Sequence, residues 1–228
     1  MRSAFALFRP VVSGDEFERL RREFRSFAEV LGKARNLDVL LAAKHGEEQE
    51  KGESGQLDNE LRRARKQAYS EVTALLAGPR IPILMLDLVG WAEAGAWRKR
   101  RRAGRSVPEF AAERLDRAWR RVRKRGGIIA VLSPEDRHRL RIEVKKLRYA
   151  AEFFASLACE QSRAEKRQFL DRLEAMQESL GTLNDLETAK QLDPDHAFAA
   201  DDRDRANGLI AEAQAAYRQL KETGRYWR

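Results

Sequence analysis

The densest run of chemically useful side chains is HRLRIEVKKLRYAAEFF, residues 138–154. His138, Arg141, Lys145 and Arg148 recur there at i, i+3, i+7 and i+10. At roughly 100° per residue, that spacing gathers them within about 80° of one helix face. Leu140, Val144, Leu147, Ala151 and Phe154 form an apolar stripe beside the row, and Arg139 and Lys146 flank it on a further side. Like charges at this spacing repel and weaken a helix. Only Glu143 intervenes, and it lies away from the row. A row of unneutralised cations makes sense if a chain of phosphates neutralises it. Arg offers a fork that holds two oxygens at once, and Lys offers a compact charge. His138 adds a donor whose charged form a phosphate contact would favour. The alternative is a plain solvated basic face.

A second row has the same layout. Arg114, Arg117, Arg121 and Lys124 repeat the spacing, above an apolar face of Ala111, Leu115, Ala118 and Val122. Trp119 reads as core or groove packing rather than a stacking platform. Two helices patterned alike are expected to line one channel or groove. The run RKRRR at 98–102 is compatible with a solvated loop, a nucleic-acid contact or part of the same field.

Catalytic signatures are missing. The sequence has no GK[ST] phosphate loop, no HExxH and no G-x-S-x-G. His45, His138 and His196 stand at no metal-ligand spacing, and His45 and His196 read as surface loop residues. The acidic pairs Glu47-Glu48 and Asp201-Asp202 do not form the ordered cluster that a metal-dependent phosphatase needs. No nucleophile has a plausible base. The expectation is a binding protein with no enzymatic activity, no metal and no cofactor.

The charge is unevenly placed. Over 228 residues the net charge is +9. Residues 98–125 hold 13 Lys and Arg against 3 Asp and Glu, and residues 137–148 hold 6 against 1. Concentration of this kind points to a polyanion partner rather than to solubility alone. The single cysteine, Cys159, provides no disulfide framework and reads as a small core residue in an apolar helical stretch, which fits a reducing cytosol. No signal peptide is read at the N-terminus, where Arg9 and Pro10 interrupt the short apolar run. The longest apolar stretch, near Ile81–Val89, is too short to span a membrane and is broken by Asp87, so no membrane partner is expected.

The elements that position these rows read as helices throughout. Phe5, Leu7 and Phe8 form the tail of a helix ending at Pro10. Phe17, Leu20, Phe24, Phe27, Leu31 and Val39 mark an amphipathic helix over 15–42. Residues 43–58 read as a loop, with helices over 59–77 and about 83–97 after it. Ser106, Pro108 and Glu109 predict a capped start to a helix that reaches about 125, before Gly126-Gly127. Ser133, Pro134 and Asp136 repeat that signal for a helix to about 158. Helices over 163–180, interrupted by Gly181, and about 203–223 complete the chain. Ile128–Leu132 is the best strand candidate and is short, so the fold class is all-α.

Two pieces recur in the same order. Arg2-Ser3-Ala4-Phe5-Ala6-Leu7-Phe8 is similar to Arg148-Tyr149-Ala150-Ala151-Glu152-Phe153-Phe154, and LGKARNLDVL at 31–40 to LGTLNDLETA at 180–189. Offsets of 146 and 149 residues point to a duplicated helical unit; chance likeness between Ala/Leu/Arg-rich helices is the alternative. In this register the first copy begins about fourteen residues into the pattern.

His-x-x-Arg-x-x-x-Lys-x-x-Arg-Tyr at 138–149, followed by Ala-Ala-Glu-Phe-Phe, resembles the signature of the CHAD (conserved histidine α-helical domain) family. The two Leu-Gly motifs resemble that family's paired motifs. The resemblance covers nearly the whole chain. It implies one domain over 1–228, built as two pseudo-symmetric antiparallel helical bundles, about 1–105 and 106–228, around a basic central groove or pore. It also implies binding of inorganic polyphosphate in the cytoplasm, with association with polyphosphate granules in bacteria. His138, Arg141, Lys145 and Arg148 would face the ligand, with Tyr149 in support. Arg2 would match Arg148 in the other half, Arg35 would reach the groove, and Asp38 would orient a neighbour. The first-half histidine and its companions have no counterpart in the chain, so the first bundle is expected to lack the start of its first helix. A homodimer or helix exchange across that seam is expected to follow. The triphosphate-tunnel signature Glu-x-Glu-x-Lys is absent, so the resemblance implies binding and not hydrolysis. A nucleic-acid-binding helical protein is the alternative, supported by charge and by RKRRR, although no helix-turn-helix or RNA-binding signature appears.

Overall fold

The computed structural model describes residues 2–51, 56–192 and 200–228. Among these there are eight α-helices and no strand: α1 Arg2–Val12, α2 Asp15–Lys51, α3 Gln56–Ala77, α4 Arg80–Ala94, α5 Val107–Arg125, α6 Pro134–Phe153, α7 Arg163–Leu192 and α8 Ala200–Glu222. They form two compact units, Met1–Gly104 and Arg105–Arg228.

In the first unit, α1, α2 and α4 close around Phe5, Val12, Phe17, Leu20, Phe24, Phe27 and Leu84, with Trp91 and Trp97 packed against them. The rings of Phe5 and Phe17 meet edge-on at 5.4 Å. Contrary to the expectation from Pro10, α1 runs through this proline to Val12. The proline removes one backbone donor, but burial of Val12 and packing of Val11 hold the last turn. Ser13 and Gly14 make the corner into α2. Gly14 has φ +154°, a backbone that side chains rarely adopt. The Arg100 guanidinium donates to the Ser13 carbonyl and lies 3.1 Å from where a Gly14 Cβ would stand.

Residues 43–51, expected as a loop, continue α2, and 56–58 belong to α3. Residues 52–55, the side chain of His45, and His196 lie outside the described residues. Lack of an apolar period does not by itself break a helix, because Lys, Glu and Gln are good helix formers. The break at Gly78-Pro79 falls as expected and separates α3 from α4.

In the second unit, α6 packs on α5 and α7, and α7 packs on α8. Leu115, Val122, Leu140, Val144, Leu147, Phe169, Leu173, Met176, Leu180 and Leu220 are buried there. The two predicted helix starts differ in detail. Ser133 caps α6, its hydroxyl accepting from the Asp136 amide at 3.1 Å. Ser106 stands before α5 without a side-chain cap bond; Pro108 leaves that first turn one donor fewer to satisfy. Gly181 does not interrupt α7, which continues to Leu192. Burial of Leu180 and Leu183 on either side outweighs the glycine's helix penalty of about 1 kcal/mol. Ile128–Leu132 forms a 3-10 turn and not a strand. α6 ends at Phe153 rather than near 158. Cys159, expected in the core, is exposed ahead of a short 3-10 turn.

Gly126 is required by packing. A Cβ there would stand 2.8 Å from the Tyr217 ring. The chain's last residues are pinned as well: the buried Asp116 carboxylate accepts from Trp227 Nε1 at 3.0 Å, from Arg225 at 3.2 Å and from Arg228. Phe169, Tyr226 and Trp227 stack edge-on beside this clamp.

Candidate functional site

The row predicted on α6 forms against α7. His138 Nδ1 lies 2.6 Å from Asn184 Oδ1. The amide oxygen accepts from Nδ1–H, which leaves Nε2 turned to solvent. One turn on, the Arg141 guanidinium lies over Gly181, 3.7 Å from the place of a Cβ. Its Nε is buried and takes no hydrogen bond among the described residues. Lys145 is exposed and sits 5.7 Å from the Tyr149 ring. Arg148 is held firmly: Gln177 accepts from its Nε at 3.0 Å, and Glu152 and Glu174 lie at 3.0 and 3.2 Å. The Arg148 guanidinium also sits 5.3 Å from Tyr149, so Tyr149 braces both neighbours.

This sorts the predicted cations. Arg148, Arg139 and Lys146 each have a carboxylate within ion-pair distance, with Arg139 at 3.1 Å from Asp136 and Lys146 at 2.8 Å from Glu143. Among the described residues, Arg141 and Lys145 have none. On α6 they are the two predicted Arg/Lys cations left without one.

The α5 row is placed elsewhere. Glu143, about 180° around α6 from the His138 row, pairs with Lys146 and lies 3.9 Å from Arg121. Arg121, Lys124, Asp136 and Glu143 line a cleft between α5 and α6, whereas His138, Arg139, Asn184 and Glu187 line another between α6 and α7. Within this unit the apolar stripe of α6 lies between the two rows, and each row contributes to its own cleft. Arg117 shares Glu113 with Arg105, at 2.8 and 2.7 Å. Burial, with the charges of Arg117 and Arg121, pushes the Arg114 guanidinium below its ordinary value.

In the first unit Arg35 is exposed on α2, and the side chain of Arg2 lies outside the described residues. Asp38 orients a neighbour, as the motif implied. Its carboxylate accepts from Arg65 Nε at 2.6 Å and from the Tyr69 hydroxyl at 2.7 Å. Those two bonds hold Asp38 below the usual carboxylate range, and the Arg65 guanidinium sits 4.8 Å from the Tyr69 ring.

Several positioning residues were not read from sequence. Asn184 and Glu187 lie inside the quoted LGTLNDLETA segment, at the places that Arg35 and Asp38 hold in the first copy. Glu187 pairs with Arg137, which also donates to the Leu132 carbonyl at 2.7 Å. The repeat register was the available signal for Glu187. Nothing in the sequence pointed to Arg65 and Tyr69, which come from a different helix. Part of the RKRRR run is structural: Arg98 donates to the Glu93 carbonyl and Arg100 to Ser13, while Lys99, Arg101 and Arg102 are exposed.

These features define an all-α helical-bundle protein with a histidine, arginine and lysine row set against an Asn/Glu-bearing helix. The family model for the CHAD domain matches residues 1–192, and the chain belongs to that family. It is similar to the crystal structure of the CHAD domain from the plant Ricinus communis, with 28% identity and a TM-score of 0.64 over 96% of this chain and 77% of that one. No curated protein matches.

Proposed function

We propose that this protein binds inorganic polyphosphate through the solvent side of α6, without hydrolysing it. The observation that carries the reading is the pair Arg141 and Lys145, adjacent cations with no carboxylate partner among the described residues. His138 stands one turn before them, its Nδ1 engaged by Asn184. Arg148 and Tyr149 act as the brace that keeps the row extended. A flexible phosphate chain matches such a row because each turn of helix, 5.4 Å long, brings a further cation within reach of a further phosphate. Arg35 of the first unit supplies an additional cation of the same kind. The action is cytoplasmic, on polyphosphate granules. Nucleic acid is the alternative partner, which the parallel titration below separates from polyphosphate.

The test is titration with long-chain polyphosphate at near-physiological salt, with duplex DNA in parallel. Tight binding of polyphosphate and weak binding of DNA supports the reading. Equal, weak binding of both rejects it and leaves the rows as general electrostatics.

A further inference from the structure

The His138–Asn184 contact fixes more than the direction of one ring. The Asn184 amide is itself oriented, because its Nδ2 donates to the Asp185 carboxylate at 3.4 Å. A carboxylate only accepts, so the NH2 group turns to Asp185 and the amide oxygen to His138, 2.6 Å away. That oxygen only accepts as well. His138 therefore carries a hydrogen on Nδ1 whether its ring is neutral or charged. In the neutral ring, Nε2 is then a bare lone pair.

A lone pair facing phosphate oxygens repels them. Nε2 becomes a donor only by taking a proton, which also adds charge beside Arg141 and Lys145. The groups around the ring are of both signs. On α6, Glu135 and Arg139 are exposed, Arg139 is paired with Asp136 at 3.1 Å, and Arg141 follows one turn on. On α7, Asp185 holds the amide and Glu187 pairs with Arg137. The 128–133 stretch before α6 has no charged residue. The acceptor at the ring is thus a neutral amide and not a carboxylate. A carboxylate at 184 would favour the charged ring with no phosphate present. The amide fixes the ring and leaves the charge for the ligand to induce. In the first copy of the recurring motif the place of Asn184 is held by Arg35, whose charge is permanent.

We infer that Asn184 is a positioning residue for the α6 row: it fixes His138 with Nδ1 protonated, so that phosphate binding draws a solvent proton onto Nε2. This rests on the polyphosphate reading above. No bond to phosphorus forms or breaks; the buffer loses the proton and the imidazole gains it. Binding therefore tightens as pH falls from about 8 to about 6, within the range where histidine changes charge.

The test has two readouts on the full chain. Nitrogen-15 NMR of the ring nitrogens reads the tautomer without ligand, and His138→Gln identifies the His138 signals among the three histidines. Wild type and Asn184→Asp, which keeps an acceptor in place, should show Nδ1–H, and Asn184→Leu should lose that preference. Titration with long-chain polyphosphate at about pH 8 and about pH 6, at matched salt, reads the linkage. Wild-type affinity should rise about tenfold on acidification. His138→Gln should lose most of that rise. Asn184→Leu, whose neutral ring is free to present Nε2–H, should flatten it to about threefold. Leu is a better helix former than Asn, so α7 should hold, and circular dichroism checks it. A merely supporting role for Asn184 would lower affinity equally at both pH values, and that result overturns the inference. An Nε2–H tautomer in the wild type overturns it too. Absence of wild-type binding at both pH values overturns the polyphosphate reading and the inference with it, and the tautomer readout tells that outcome from a misassigned Asn184.

Discussion

Leu31 and Leu180 hold the same place in the recurring Leu-Gly segment, yet Leu31 is 47% exposed and Leu180 is 2% exposed. The glycines that follow them repeat the contrast: a Cβ on Gly181 would meet Arg141, whereas a Cβ on Gly32 would meet nothing within 4 Å. In the second unit the length of α6 lies along α7, covering Leu180 and setting Arg141 over Gly181. In the first unit the described residues leave that part of α2 uncovered. The acid at the end of the motif adapts. Glu187 takes its arginine from α6, and Asp38 takes Arg65 from α3. One motif therefore serves two environments, and the neighbouring helix decides whether it builds a cation row or an open face.

The strongest way to break this comparison is to truncate both leucines. Leu180→Ala should cost about 2–4 kcal/mol in urea denaturation, as for a fully buried leucine. Leu31→Ala should cost less than about 1 kcal/mol. Equal costs would mean that Leu31 is covered in solution, and a concentration-dependent midpoint would assign that cover to a second copy.

The acids test the difference in burial. Asp116→Asn should destabilise the second unit by about 1–3 kcal/mol, because it weakens the acceptor for Arg225, Trp227 and Arg228. Burial alone would push Asp116 up. Hydrogen bonds from Arg228 and Trp227, with the charges of Arg228 and Arg225, outweigh it and leave the group below its ordinary value. A carboxyl lowered on folding contributes stability above its unfolded value, about 3.9. That contribution is lost as pH falls through the folded value. The gap between wild type and Asp116→Asn should therefore be full at neutral pH and close on strong acidification. Asp38→Asn, at an exposed pair, should barely move the midpoint at any pH.

The two basic rows sharpen the comparison within the second unit. Arg141→Glu/Lys145→Glu should weaken polyphosphate binding about tenfold or more, and flatten its salt dependence. Arg117→Glu/Arg121→Glu, removing charges already shared with Glu113 and Glu143, should weaken it only about two- to threefold at matched salt. The reverse order would move the binding surface to α5. The smallest effect concerns Cys159. The Ser162 hydroxyl, 3.2 Å away, draws its thiol below the usual range. Iodoacetamide should modify it fully in the native protein, with no loss of helicity. Protection of that thiol would contradict its exposed placement.

Much of the helical order was legible because apolar spacing and caps are local signals. The starts of α5 and α6, the break at Gly78-Pro79 and the apolar stripe of α6 all follow from residues a few positions apart. The errors have local causes too. Pro10 and Gly181 are helix breakers by propensity, but buried neighbours held their helices together. The acidic tail of α2 lacks an apolar face and so looked like a loop. At the candidate site, His138, Arg141, Lys145 and Arg148 were readable because an i, i+3, i+7, i+10 pattern must share a face.

The sequence alone thus determined the all-α class, the two cation rows and the recurring Leu-Gly motif, since each depends on spacing along one helix. Tertiary structure alone decided which cations remain without a carboxylate, that the α5 and α6 rows line clefts on either side of α6, and that Leu31 and Leu86 are exposed. Those properties depend on which helix lies alongside. Glu143 reaches Arg121, Glu187 reaches Arg137 and Asp38 reaches Arg65 only after packing brings distant stretches of chain within a few ångströms.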